Sequence, residues 1–222
     1  MSYWKQFRDI ERNEIIVVGV DTSVGCGDYT AAQFVSKNKL DVPIVYHSPE
    51  TVSSLTADLA IKLEKICDIT GYKPLVAYER ANSGATEMER LAALNRLNKY
   101  EIFRMPVIGK VDNEETERLG WDTNAATRPQ MLENLKRYID KKLLKIYDID
   151  TVAELLSFVV VYKNASRKAQ AERNAHDDLV MSLAIATELL DRAEPDKLIT
   201  MPTVEIVRPL MRDERYKGRR SY

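Results

Sequence analysis

The run Ile15-Ile16-Val17-Val18-Gly19-Val20-Asp21 constrains this chain more than any other stretch of its sequence. An apolar, mostly β-branched run of this length suits a strand buried on both faces, which needs neighbouring strands beside it and packed layers above and below. A turn through Gly25, Cys26, Gly27 and Asp28 follows, and Tyr29–Ser36 resumes β-like, so the two runs read as a hairpin. The first run ends on a carboxylate, Asp21. An ionised group beside a core is costly unless it is paired or holds a cation.

Downstream, Val42–His47 predicts a third strand. Thr51 or Ser53 is placed to cap a long helix carrying Leu55, Leu59, Ile61, Leu63 and Ile66, which Gly71 ends. Pro74–Tyr78 predicts a short strand that stops at Glu79, and Ala85–Lys99 has helical spacing. Ile102–Val107 is strand-like, with Pro106 favouring an edge or a strand end. A polar segment over Gly109–Ala126 leads to Thr127-Arg128-Pro129, which opens a helix with Met131, Leu135, Tyr138 and Ile139 on one face. Ser157–Tyr162 is strand-like, and Asn174–Asp191 predicts a helix apolar nearly all round, hence well buried. Helices alternating with strands after an opening hairpin indicate an α/β fold, with a mixed central β-sheet flanked by α-helices. The expected organisation is a lead-in over 1–14, one domain over 15–195 and a basic tail over 196–222.

Composition removes several function classes. Two cysteines (Cys26, Cys67) and two histidines (His47, His176) are too few for a disulfide framework or a Cys/His zinc cluster. No stretch approaches the roughly 18 apolar residues of a membrane helix, and the charged Met1–Asn13 segment lacks the core of a secretory signal. Lys and Arg number 33 against 34 acidic residues, so any affinity for nucleic acid must come from local patches rather than net charge.

If a metal is used, carboxylates must hold it, and three acidic stations are placed for that. Asp21 and Glu79 each end an apolar strand, and Asp177-Asp178 opens the most buried helix. Convergence of such groups suits Mg²⁺ or Mn²⁺, which prefer oxygen ligands. Taken singly, each has a plainer account: Asp21 as the start of the turn, Glu79 as a partner of Arg80, Asp177 as one half of a capping box with Asn174. Asp178 shares a helical face with Ser182, Ile185 and Leu189 and should point inward, which makes it the preferred ligand of the acidic pair.

Four segments in this order, GVDTSVGCGDYTAA (Gly19–Ala32), AYERANSGA (Ala77–Ala85), GWDTNAATRPQML (Gly120–Leu132) and HDDLVMSLAIA (His176–Ala186), resemble the nuclease domain of large terminase subunits, the DNA-packaging proteins of tailed bacteriophages. The resemblance spans about Ile15 to Leu190. It implies an RNase H-like fold over 15–195 and a metal-dependent endonuclease that cuts concatemeric viral DNA by two-metal-ion hydrolysis, using two Mg²⁺ or Mn²⁺ ions. The family's first-strand Asp falls on Asp21, its central acidic residue on Glu79, where many members have Asp, and its last acidic pair on Asp177 and Asp178. Asp21 would bridge the ions. The resemblance also implies double-stranded DNA, a terminase ATPase domain or chain, the small terminase subunit and the portal protein as partners, in the cytoplasm of an infected bacterial host. The family's packaging ATPase is expected to be missing from this chain, since no G-x-x-x-x-G-K-[ST] phosphate loop occurs.

DNA contact is expected from basic positions near the last acidic pair: Lys163, Arg167, Lys168 and Arg173, with Arg128 in the Thr-Arg-Pro segment. The Arg208–Tyr222 tail is a further basic candidate. His176 and Asp28 are candidates to stand behind the metal ligands, each with a plainer local role as the alternative. Trp121 is expected either to stack on DNA or to anchor its loop to the core. The rival readings are a Holliday-junction resolvase or another RNase H-like DNA nuclease, a non-catalytic portal-docking module of the same fold, and an actin-like kinase, for which no second phosphate-binding segment is evident.

Overall fold

The computed structural model describes residues 3–23, 28–108, 115–163, 166–171 and 176–193. Its elements are β1 (Trp4–Gln6), β2 (Ile16–Asp21), β3 (Thr30–Ser36), β4 (Asp41–Ser48), α1 (Val52–Thr70), β5 (Leu75–Tyr78), α2 (Gly84–Leu94), β6 (Glu101–Ile102), β7 (Arg104–Ile108), β8 (Glu115–Leu119), α3 (Thr127–Asp140), β9 (Lys145–Ile146), α4 (Ile149–Ser157), β10 (Phe158–Lys163), β11 (Ser166–Ala171) and α5 (Asp178–Leu190). A seven-stranded mixed sheet runs β1-β4-β3-β2-β5-β6, with β9 beside β4. β2, β3 and β4 are antiparallel neighbours, whereas β5 lies parallel to β2.

Every residue of β2 is buried, because the sheet is covered on both faces. Successive side chains of a strand point to opposite faces. Ile16, Val18 and Val20 therefore join one core layer with Leu55, Leu59 and Leu63 of α1 and Met88 and Leu91 of α2. Val17 joins the other layer, with Met131 and Leu135 of α3 and Leu179, Leu183 and Ala186 of α5. The same alternation turns Gly19 and Asp21 toward α5. All of α5 except Glu188 is buried, which its all-round apolar sequence requires.

Gly19 sets how closely α5 approaches the sheet. A Cβ at this position would lie 2.1 Å from the Ser182 carbonyl oxygen and 2.4 Å from the Ala186 nitrogen, so helix and strand meet backbone to backbone. One helical turn before Ser182 comes Asp178, and two residues after Gly19 comes Asp21. The close packing thus carries the first residue of α5 toward the end of β2.

Several elements differ from expectation. The last helix begins at Asp178, not Asn174. Its first N–H groups are satisfied from another helix, and Asp177 takes the N-cap position in a non-helical conformation without a side-chain cap bond. Asn174 lies outside the described residues. β10 stands outside the main sheet and pairs only with β11. The polar segment contains β8, which pairs with β7 in a two-stranded ribbon, where Pro106 faces Glu117 and both strands are edges. In the expected lead-in, β1 pairs with β4. Lys5 of β1 donates to Asp148 at 2.8 Å, and Asp148 caps α4 through the Thr151 N–H. No helix among the described residues is long and apolar enough to cross a membrane.

Candidate metal centre

The backbone brings Asp21 and Glu79 side by side. Glu79 immediately follows β5, and its N–H donates to the Val20 carbonyl at 2.8 Å, continuing the parallel pairing past the strand's end. Ala77 of β5 faces the α5 layer, and Glu79, two residues on, keeps that parity. Behind it, Gly84 opens α2 so tightly that a Cβ would stand 1.8 Å from the Glu79 carbonyl oxygen. Asn82 and Thr22 tie the two loops together, with Asn82 Nδ2 donating to the Thr22 carbonyl and Thr22 Oγ1 donating to the Ala81 carbonyl. Arg80 donates to the Leu119 carbonyl at 2.5 Å, so Glu79 turns to Asp21 and not to its basic neighbour.

Asp21 and Glu79 share a hydrogen bond between their carboxyl groups. Burial, that bond, and the charges of Glu79, Asp178 and Asp177 hold the Asp21 carboxyl well above the ordinary carboxylate range. Asp178 is 8% exposed, and its pKa is pushed up to about 6. Burial is the main cause; Asp177 and Asp28 add to it, while the Tyr29 N–H and His176 pull the other way. Asp178 Oδ2 is buried with no hydrogen-bond partner among the described residues, and His176 Nδ1 stands 3.6 Å from it. Asp177 is more open and accepts a bond from Arg128 Nη2 at 2.9 Å. Asp21 and Glu79 thus sit together at the end of the β2–β5 pair, near enough to Asp178 and Asp177 for their charges to act on Asp21, with Asp178 inward and Asp177 at the rim.

These residues fit a divalent cation. Asp21 and Asp178, whose pKa values burial and neighbouring charge raise, and the Asp178 oxygen left without a hydrogen bond lose these penalties when an oxygen-seeking cation arrives. Metal would be held by Asp21, Glu79 and Asp178, with Asp177 able to join once Arg128 releases it.

Two residues beside this cluster carried no functional argument in the sequence, Glu154 and His47. Glu154 reaches across from α4 and accepts the N–H groups of Leu179 (2.9 Å) and Val180 (3.3 Å), capping α5 in place of a local side chain. Burial, opposed by those two bonds, pushes its pKa up to about 7. His47 lies near the end of β4, where its ring packs on Tyr29 at 4.5 Å, and Tyr29 in turn meets His176 edge-on at 5.0 Å. The Asp148-x-x-Thr151 capping pattern was the available signal for α4, but nothing local announces a cap offered to a different helix.

Trp121 is buried and stacked on Phe103, and its backbone N–H donates to the Tyr78 carbonyl, so it anchors the loop that borders Glu79. Lys163, Arg167 and Lys168 fall on the β10–β11 ribbon, and β11 runs against α3, the helix that carries Arg128. The side chains of those three residues, Arg173, the glycine turn at 25–27 and the tail from 196 lie outside the described residues.

No protein-family model matches this chain, and no curated protein matches it in sequence. Solved structures do match. The large terminase nuclease from thermophilic phage G20c with bound magnesium superposes with a TM-score of 0.63 at 18% identity, over 85% of this chain and 88% of that one. Its cobalt-bound form gives 0.62 at 18% identity, over 85% and 88%. The Thermus phage P74-26 large terminase nuclease domain gives 0.62 at 16% identity, over 85% and 86%. The chain has the fold of a large terminase nuclease domain. Within that RNase H-like fold, the acidic cluster lies where β2 and β5 run out beneath the start of α5.

Proposed function

We propose that this chain is a metal-dependent DNA endonuclease of viral genome packaging, acting on double-stranded DNA. The observation that carries the reading is the meeting of Asp21, Glu79, Asp178 and Asp177, from three separate elements, at one end of a terminase-type sheet. Two divalent ions, Mg²⁺ or Mn²⁺, would supply an activated water and neutralise charge on the scissile phosphate. Asp21, which adjoins Glu79 and feels the charge of the acidic pair, would hold the ions together with Glu79 and Asp178, and Asp177 would assist. Burial keeps bulk water off Asp21 and Asp178, and the Tyr29 N–H orients the Asp178 carboxyl. Asp28 and His176 act on Asp178 through charge. The G20c nuclease has been solved with magnesium, cobalt and zinc, which supports a site tolerant of several dications.

Arg128, Lys163, Arg167, Lys168 and Arg173 are the proposed phosphate contacts. Terminase ATPase, small subunit and portal protein are the proposed partners, and the host cytoplasm the proposed location. Nicking of supercoiled plasmid in Mn²⁺ or Mg²⁺ tests the reading. Asp21→Asn is expected to abolish cleavage while leaving the circular dichroism spectrum unchanged; a fully active Asp21→Asn overturns it. Faster cleavage of four-way junctions than of linear duplex would favour a resolvase instead.

A further inference from the structure

His47, Glu154 and Asp178 come from β4, α4 and α5, far apart in sequence, yet each offers a ligand atom within 4.8 Å of the other two. Neighbouring ligands of a cation with bonds of about 2.1 Å stand roughly 3.4 Å apart in a tetrahedral shell, so these side chains would close by about an ångström or more around an ion, a movement within reach of side-chain rotation. Two further features point to a bound species. His47 Nε2 is buried with no hydrogen-bond partner among the described residues, and so is Asp178 Oδ2 on a side chain about nine-tenths buried. A buried imidazole nitrogen and a buried carboxylate oxygen that lack hydrogen bonds are costly unless a bound species accepts their lone pairs, and the Asp178 oxygen has only His176 Nδ1, 3.6 Å away, beside it.

We propose that His47, Glu154 and Asp178 form a second cation site, selective for a first-row transition dication such as Mn²⁺ or Zn²⁺ over Mg²⁺. The selectivity follows from the donor set: imidazole suits transition metals, whereas Mg²⁺ prefers oxygen ligands and retains its waters. Glu154 uses Oε2 to hold the α5 N–H groups, leaving its other oxygen for the ion. Filled, the site fastens Asp178 to α4 and β4 independently of Asp21 and Glu79. It stands on these side chains whether or not the chain cleaves DNA.

The test is pulsed electron paramagnetic resonance of the full chain loaded with Mn²⁺ alone. The chain has two histidines, so a directly bound imidazole nitrogen belongs to His47 or His176. Nitrogen coupling is expected in the unaltered protein, replaced by the ¹⁵N pattern when histidine is ¹⁵N-labelled. It is expected to persist in His176→Gln, whose exposed position makes folding safe, and in Asp21→Asn. It should vanish in His47→Gln, and Glu154→Gln should weaken Mn²⁺ binding at least about tenfold. Absence of nitrogen coupling, its loss in His176→Gln, or its loss in Asp21→Asn overturns the proposal. Plasmid cleavage by Asp21→Asn is scored separately, so failure of the nuclease reading shows as retained cleavage and leaves the nitrogen signal to be judged alone.

Discussion

Asp178→Asn gives the most direct measure of the strain stored in the acidic cluster. In the folded protein the Asp178 carboxyl has a pKa of about 6, against an ordinary value of 3.8. The native state therefore binds more protons than the unfolded chain across that interval, and stability falls as pH rises through it. Above about pH 6 the full penalty is present; with about 1.4 kcal/mol per pKa unit, the roughly two-unit rise amounts to about 3 kcal/mol. Asparagine removes the charge and keeps an oxygen for the Tyr29 N–H. Its amide N–H₂ is left short of a partner, at a cost of about 1 kcal/mol. Without divalent metal at pH 8, Asp178→Asn should thus be more stable than the unaltered protein by about 2 kcal/mol, or about 4–8 °C in Tm for a chain of this size. Urea denaturation in EDTA, followed by circular dichroism, reads the difference directly. The advantage should shrink as the pH is lowered from 6 to 4, and Mn²⁺ should reverse the order by stabilising the unaltered protein more. An Asp178→Asn protein no more stable at pH 8, or one whose advantage is unchanged at pH 4, would refute the reasoning.

Gly19→Ala forces a methyl group against the backbone of α5 and should destabilise the fold by about 3 kcal/mol or more, seen as a Tm at least about 6 °C lower; a change within about 0.5 kcal/mol would show the approach to be looser. Arg128→Ala breaks a partly exposed pair with Asp177 and should cost no more than about 1 kcal/mol in urea denaturation. In DNA binding it should reduce the slope of log K against log salt by about one, as loss of one phosphate contact does. Burial raises the Cys67 thiol pKa to about 11, so at pH 8 it should resist iodoacetamide in the folded protein and react once urea unfolds the chain, as peptide mass mapping will show.

The strands that matter most were legible because the sheet is covered on both sides: β2 needs apolar residues at every position, and few environments besides a doubly covered sheet call for such a run. Asp21 and Glu79 stood out as charged residues ending apolar runs. The inward face of Asp178 followed from helical spacing with Ser182 and Ile185. The elements that escaped notice lack any such pattern. β1 and β9 are two or three residues long, too short for periodicity. In α4, Ile149 and Leu156 are largely exposed, so its apolar residues do not mark its buried face. β8 is rich in charge because its ribbon lies outside the main sheet. Glu154 and His47 act through contacts with distant segments, and a contact of that kind leaves no trace in local spacing.

The meeting of β2 and α5 at Gly19 also bears on how this protein can change. Elsewhere in the core, an enlarged side chain can be accommodated when a neighbour shrinks, since total volume is what packing conserves. At position 19 the neighbours are a carbonyl oxygen and an amide nitrogen, which every amino acid except proline supplies identically. No exchange at Ser182 or Ala186 can give ground to a bulkier residue 19, so damage there has no local suppressor. Random mutagenesis with selection for a folded protein should therefore find compensated pairs throughout both core layers and none that rescues this position.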